Sequence, residues 1–129
     1  MPQSPQPTPT RSEMEILEQL WEREEATAQT IHDALGGTRS VGYTGTLKLM
    51  QLMHQKGLLG RRREGRSHVY YPLVDEQSTK SSLLNTFVDA TFAGSASRMM
   101  MHLLGNKKVS REELDEIRDY LDRIEEDKS

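Results

Sequence analysis

Residues 41–74 have the sequence VGYTGTLKLMQLMHQKGLLGRRREGRSHVYYPLV, and this stretch decides the fold. Its first half has the apolar spacing of an amphipathic helix, which Gly57 ends. Its second half contains two short runs with the alternation and aromatic content of strands, separated by a glycine-containing turn and rich in arginine. A helix of the size that enters a DNA groove, followed by a basic hairpin beside it, predicts a winged helix-turn-helix.

Composition limits the class of protein. The chain has 129 residues, of which 34% are hydrophobic and 29% charged, and it contains no cysteine. This suits a small helix-rich domain whose core is completed by a partner, so oligomerisation is expected. The missing cysteines exclude disulfides, thiol catalysis and thiolate metal sites. No apolar run approaches the roughly 20 residues of a membrane span. There is no signal-peptide pattern either, which predicts a cytoplasmic location without membrane insertion.

The charge is unevenly divided along the chain, although its net value is only −3. Residues 1–36 carry two basic and seven acidic side chains, residues 37–75 carry seven and two, and residues 76–129 carry eight and eleven. Positive charge confined to the middle segment is expected of a local footprint on a phosphate backbone. The alternative is a solvated basic loop.

The segment before residue 41 predicts a tail and two helices. Residues 1–10 hold four of the five prolines and predict a disordered tail. A first helix is expected from Arg11 or Ser12 to about Glu25, with Trp21 as a core anchor. A second, short helix follows. It is capped by Thr27 and ended by a left-handed residue at positions 36–37, before a turn at residues 37–40.

The third helix, about Tyr43 to Lys56, is the predicted recognition helix. Thr46, Leu49, Met50 and Met53 form its expected core-facing set, whereas Leu47 and Leu52 fall towards the flank that should face DNA. Glutamine suits adenine and hydroxyls suit several base edges, while arginines at the hairpin tip meet phosphates or a minor groove. The alternative is an ordinary surface helix. The predicted DNA-binding residues are Tyr43, Thr44, Thr46, Lys48, Gln51, Gln55, Arg61, Arg62, Arg63 and Arg66.

Residues 76–129 predict three short amphipathic helices. The first covers residues 77–92 and ends at a break formed by Ala93 and Gly94. The second covers residues 96–104, and the third begins at a capping box formed by Ser110 and Glu113. Narrow apolar stripes on charged helices need another surface to bury them, so this region is predicted to be a helical dimerisation region. Its predicted dimer contacts are Leu84, Phe87, Val88, Phe92, Met100, Leu103, Leu114, Ile117, Leu121 and Ile124.

Catalytic and metal-binding motifs are absent from the sequence. The consecutive methionines at positions 99–101 are typical of adaptable core or interface filling rather than of a copper site. The four histidines lie in different predicted elements without zinc-ligand spacing. There is no HExxH, no Gly-rich phosphate loop and no Ser/His/Asp set on strand ends. We therefore expect no metal, no cofactor and no enzymatic activity.

The segments SEMEILEQLWEREEATAQTIHDAL, YTGTLKLMQLMHQKGLL, REGRSHVYYPLV, FAGSASRMMMHLL and SREELDEIRDYL occur in this order. Together they resemble the BlaI/MecI penicillinase-repressor family of winged-helix regulators, over about residues 11–125. The resemblance implies a mainly α fold, with a winged helix at residues 11–75 and a helical dimerisation region at 76–129. It further implies a homodimeric repressor on a palindromic operator of a β-lactam-response, copper-homeostasis or sensor-metalloprotease operon. It also implies that a membrane sensor metalloprotease cleaves the repressor or releases it from DNA.

The chain departs from this family pattern at several positions. Lys48 stands where the family usually has a threonine, and Leu52 where it has an arginine, so either the operator is expected to differ or DNA binding is expected to be weaker. The cysteine cluster of the copper-responsive branch is absent, which excludes copper sensing through thiolates. His102 and Leu103 replace the usual cleavage pair. Two alternatives stay open, a winged-helix protein-interaction module without DNA binding and a ligand- or metal-responsive regulator.

Overall fold

The computed structural model describes residues 8–36, 42–106 and 108–128. The chain divides into two compact units, the first ending at Leu84 and the second beginning at Asn85. The first unit contains three helices and a β-hairpin in the order of a winged helix-turn-helix, which confirms the predicted fold class. In chain order the elements are α1 (Arg11–Arg23), β1 (Ala26–Thr27), α2 (Ala28–Ala34), α3 (Tyr43–Gln55), β2 (Leu59–Glu64), β3 (Ser67–Pro72), α4 (Glu76–Phe92), α5 (Ala96–Asn106) and α6 (Arg111–Lys128).

Helix α1 begins with a complete capping box. The backbone N–H of Glu13 donates to the Thr10 hydroxyl at 3.2 Å, and the backbone N–H of Thr10 donates to the Glu13 carboxylate at 2.8 Å. These two bonds satisfy donors that a helix start otherwise leaves unpaired. The helix ends at Arg23, two residues before the predicted end, because Glu24 adopts a left-handed φ of 75°.

Helix α2 is capped as predicted, since the backbone N–H of Thr30 donates to the Thr27 hydroxyl at 3.2 Å. The prediction that a left-handed residue ends α2 is wrong for Gly36, whose φ is not positive. Gly37 and the predicted turn at residues 37–40 lie outside the described residues. Helix α3 ends as predicted, because Gly57, just after the C-cap Lys56, has a φ of 86°.

The sheet is antiparallel in the order β1-β3-β2. The hairpin of β2 and β3 turns at Gly65, whose φ is 64°, and its register places Arg61 opposite Tyr70. Gly60 lies opposite Tyr71, and a Cβ at Gly60 would meet the Tyr71 ring at 2.3 Å, so any larger residue there would force the ring to move. The two-residue strand β1 was not predicted, because two residues show no alternation that a sequence pattern could reveal.

The core of the first unit gathers residues from all three helices and from the sheet, including the fully buried Ile16, Ile31 and Met50. Trp21 packs against this core, as predicted, and its indole N–H donates to the Val74 carbonyl at 3.0 Å. The bond fixes the chain as it leaves β3, immediately before α4 begins.

Helix α4 begins in the first unit and ends in the second. Near its start Thr79 is buried, and the Lys80 ammonium lies 2.8 Å from the Glu18 carboxylate of α1. These contacts tie the start of α4 to the first unit, which ends at Leu84. Helix α4 ends where Ala93 and Gly94 both take positive φ values, which confirms the predicted break.

Helices α5 and α6 of the second unit both start at serine caps, and the predicted cap Ser110 is confirmed. The Ser95 hydroxyl accepts from the backbone N–H of Arg98 at 3.2 Å, and the Ser110 hydroxyl accepts from that of Glu113 at 3.0 Å. Neither helix buries a described side chain. The second unit therefore leaves the apolar stripes of both helices accessible.

Candidate nucleic-acid interface

Helix α3 is fixed to the core by one face, which leaves the opposite face exposed. Thr46, Met50 and Met53 are fully buried, and Leu47 and Leu49 pack against the core from the two flanks. Because a helix repeats every 3.6 residues, residues between these positions point outward. Five predicted DNA contacts are exposed, and two other exposed residues accompany them: Tyr43, Thr44, Lys48, Gln51 and Gln55, with Gly45 and Leu52.

Thr46 is a correction to the predicted contact set. It has no exposed surface, and its hydroxyl lies 2.9 Å from Nδ1 of His32 in α2. A buried hydroxyl already bonded inside the domain cannot reach a base edge. The hydroxyl links α2 to α3 instead, so Thr46 helps to set the angle at which the outward face of α3 is presented. Its place in the core-facing set of the sequence prediction agrees with the structure.

The wing, defined as strands β2 and β3 with their turn, presents the four predicted arginines unequally. Arg61 is half-buried, whereas Arg62, Arg63 and Arg66 are exposed. Arg63 donates through Nε to the Gly65 carbonyl at 3.2 Å, which holds its side chain against the turn. The guanidinium keeps its remaining donors, so Arg63 and Arg66 both offer charge at the wing tip.

Arg62 is paired within the chain. One of its nitrogens donates to the Glu25 carboxylate, between α1 and β1, at 2.8 Å, and another lies 3.1 Å from the Glu64 carboxylate. The hydrogen bond to Glu25 is the main reason that the pKa of Arg62 is raised. The same bond lowers the pKa of Glu25 below its ordinary value. Arg62 would have to leave Glu25 before it could bind a phosphate.

A polar cleft lies between the start of α2, helix α3 and the wing. It brings together three predicted contacts, Tyr43 and Gln51 of α3 and Arg66 of the wing. Lys48 and Gln55 do not line it, although both are exposed on α3. The other lining residues were not predicted as DNA contacts. They are Thr27, Ala28, Gln29, Leu47, Ser67, His68 and Tyr70.

The predicted dimer contacts meet in part in the second unit. A groove between α5 and α6 is lined by five of them, with Leu104, Tyr120 and the side chains at its rim. Several of these residues are about half exposed, which is unusual for large apolar side chains at neighbouring positions. The predicted contacts that line the groove are Met100, Leu103, Ile117, Leu121 and Ile124.

The remaining predicted dimer contacts lie outside the groove between α5 and α6. Phe87 is half exposed and packs edge-on against Phe92 with ring centroids 5.9 Å apart. Leu84, also half exposed, is the last residue of the first unit, and Leu114 is half-buried outside the groove. Val88 is a correction, because it is only 7% exposed within a single chain and so has little surface left for a second copy.

The described residues contain no group of three or more His, Cys, Asp or Glu side chains that could hold a metal ion. Among the described helices, none is both long and apolar enough to cross a membrane.

Comparison with known proteins places these features in a family. The family model described as penicillinase repressor matches residues 9–123. The methicillin resistance regulatory protein MecI of Mammaliicoccus sciuri is 21% identical over 112 residues, which cover 87% of this chain and 91% of that protein. The transcriptional regulator BlaI of Mycobacterium tuberculosis (strain ATCC 25618 / H37Rv) is 27% identical over 115 residues, covering 88% and 82%.

A penicillinase repressor of Bacillus licheniformis is also 27% identical, over 112 residues that cover 86% of this chain and 87% of that protein. The solution structure of the DNA binding domain of the repressor BlaI aligns with 57% of this chain and 90% of its own, with 27% identity and a TM-score of 0.49. Because the family model spans nearly the whole chain, from the capping box of α1 into α6, this protein belongs to the penicillinase repressor (BlaI/MecI) family of transcriptional repressors.

Proposed function

We propose that this chain represses transcription as a homodimer, with α3 of each copy in the major groove of one half of a palindromic operator. The observation that carries the proposal is the polar outward face of α3 beside an arginine-bearing wing, with Tyr43, Gln51 and Arg66 meeting in one cleft. A helix and a hairpin in this arrangement match the dimensions of a groove and its flanking backbone.

The exposed side chains of α3 supply the chemistry of base reading. The amides of Gln51 and Gln55 suit the paired donor and acceptor of adenine, and Lys48 suits the acceptors of guanine or a phosphate. The Thr44 hydroxyl can donate or accept. On the wing, Arg63 and Arg66 carry the backbone contacts, which give affinity and salt dependence rather than sequence selection.

The groove between α5 and α6 supports the homodimer. Its apolar residues stay exposed in one chain, although burying one leucine-sized side chain contributes about 1.5–3 kcal/mol. A second copy offers the same surface, and a twofold axis then brings the two grooves together. Two recognition helices related by that axis require an operator whose half-sites are inverted repeats.

The regulated genes are proposed from the relatives, whose names refer to methicillin resistance and to penicillinase. We infer a target in a β-lactam-response or sensor-metalloprotease operon, reached in the cytoplasm where the DNA lies. If a membrane sensor metalloprotease releases the repressor, it would cut the bond between His102 and Leu103, which lies within α5. A protease needs an extended substrate, so α5 would have to unwind locally before cleavage.

The test is binding of the full chain to a duplex taken from the region upstream of its own gene, measured by fluorescence anisotropy. A shuffled duplex of equal composition is the control, and sedimentation equilibrium gives the state of the protein with and without DNA. The proposal expects tighter binding to the upstream duplex, with two chains per site. Equal binding to both duplexes would contradict a sequence-specific repressor, and no binding to either duplex would favour a winged-helix module that binds a protein instead.

A further inference from the structure

Leu52 is the large aliphatic side chain on the outward face of α3, all of which is described. It is 43% exposed, whereas Leu47 and Leu49 pack against the core from the two flanks. Lys48, four residues earlier, is also exposed. Because residues four apart lie on the same side of a helix, Leu52 shares the surface that carries the proposed DNA contacts.

A leucine on such a surface has no hydrogen bond to offer a base. In the major groove guanine, adenine and cytosine present donors and acceptors, and thymine adds an apolar C5 methyl group. Pressing a leucine against a donor or acceptor would remove that group from water without replacing its hydrogen bond, which costs free energy. We propose that Leu52 selects thymine at one base pair of each operator half-site by packing against the C5 methyl.

The arrangement along α3 fits this contact. A leucine in a helix points back over the preceding turn, which brings the Leu52 side chain towards Lys48. Gly45, two turns before Leu52 and on the same side, has no side chain that would hold the base edges away. One helical turn rises about 5.4 Å, and base pairs are about 3.4 Å apart. Lys48 and Leu52 therefore reach neighbouring base pairs or a base pair and the adjacent phosphate.

The inference rests on the proposed function, since it requires α3 to enter the major groove. The experiment first selects duplexes from a random-sequence library with the full chain. In the selected duplex each thymine is then replaced, one at a time, by uracil, which lacks only the C5 methyl. Affinities are measured by fluorescence anisotropy for the unmodified chain, for Leu52→Ala and for the control Leu73→Ala. Leu73 is 57% exposed and follows β3, outside α3.

One thymine in each half-site should stand out. Replacing it in one half-site weakens binding of the unmodified chain about fourfold, the value expected for one methyl-sized group buried from water. The Leu52→Ala chain should bind the thymine and uracil duplexes equally, whereas Leu73→Ala should behave as the unmodified chain does. Circular dichroism checks that both variants keep the helical content of the unmodified chain.

The outcomes separate the inference from the proposed function. If the unmodified chain selects a sequence but binds every uracil duplex as tightly as its thymine parent, the thymine contact is wrong and the repressor proposal stands. A uracil effect that persists in Leu52→Ala also overturns the inference, because another side chain then reads the methyl. If no sequence is enriched, the proposed function itself fails.

Discussion

The Lys56 ammonium contacts both carboxylate oxygens of Glu13, at 2.9 Å and 2.7 Å. Lys56 is the C-cap of α3, and Glu13 belongs to the capping box at the start of α1. The two residues therefore hold the end of α3 against α1, the first helix of the core. The Glu13 side chain is 4% exposed and that of Lys56 is 39% exposed, so the carboxylate is the buried partner.

Replacing Glu13 with Gln should lower the free energy of unfolding by about 1–2 kcal/mol at neutral pH. It removes charge-assisted bonds, although Lys56 can be partly rehydrated. Chemical denaturation measures the change. Lys80→Gln is a control on the surface, because its partners Glu18 and Glu76 are both about half exposed. An equal decrease in both variants would contradict the anchoring role of Glu13.

The same pair makes stability depend on pH. Burial alone would raise the pKa of Glu13, but hydrogen bonds from Lys56 and from the Thr10 backbone, with the charge of Lys56, hold it below 4.5. A lowered folded-state pKa contributes stability that is present above 4.5 and lost as the pH falls through the folded-state value. Unfolding measured across this acid range should show a flatter profile for Glu13→Gln than for the unmodified chain. Parallel profiles would argue against this linkage.

Replacing Glu25 with Gln should strengthen DNA binding, because the Arg62 guanidinium would no longer be held by a carboxylate at 2.8 Å. The slope of log affinity against log salt should steepen by up to about 0.9 for each additional phosphate that the protein neutralises. Glu22→Gln is the matched control, since it removes the same charge from an exposed site on α1. An identical gain in both variants would mean that general charge, and not the release of Arg62, is responsible.

The buried Thr46 and the exposed Thr44 should respond oppositely to the same change. Thr46→Val leaves His32 without its hydroxyl partner and should cost about 1–2 kcal/mol of unfolding free energy. Thr44→Val should leave stability nearly unchanged and weaken DNA binding. Thermal unfolding and anisotropy on the two folded variants provide the comparison. A stable Thr46→Val chain that no longer binds DNA would restore Thr46 to the DNA-binding set.

Placing a lysine at Leu121, which lines the α5–α6 groove and is 50% exposed, should separate the proposed dimer. In each copy the change removes the burial of one leucine side chain, which contributes about 1.5–3 kcal/mol, and introduces a charge into an apolar groove. The control is Asp122→Lys, which changes the charge by more, at a residue that does not line the groove. Sedimentation equilibrium should find monomers for Leu121→Lys and dimers for Asp122→Lys. Dimers of equal strength in both would move the interface elsewhere.

Much of the fold could be predicted because its signals are local. Apolar spacing identifies the helices, and their limits follow from single residues such as the cap Thr27 and the left-handed Gly57. The Thr10-x-x-Glu13 capping-box pattern was present in the sequence as well and would have given the start of α1 directly. Its second role, the ion pair with Lys56, joins residues 43 positions apart and leaves no local pattern.

The site was predictable in its elements but not in the state of each side chain. Thr46 and Thr44 are both polar residues in the first turns of α3. Apolar spacing placed Thr46 on the core-facing side, but its hydroxyl also made it a candidate DNA contact, and only its bond to His32 of α2 decides between the two. Arg62 is equivalent to Arg63 in sequence, yet Glu25, 37 positions away, pairs with Arg62. Val88 is likewise an apolar residue at helical spacing. The sequence alone does not reveal that its own chain already buries it.

The salt dependence of DNA binding is the sharpest test of whether α3 and the wing form a DNA-binding surface, with the wing arginines on the phosphates. The variant with Arg61, Arg62, Arg63 and Arg66 all changed to Ala is compared with the unmodified chain on the upstream duplex over a range of salt concentrations. We predict weaker binding and a slope shallower by about 0.9 for each phosphate that the variant no longer neutralises. An unchanged slope in a folded, dimeric variant would contradict this role of the wing.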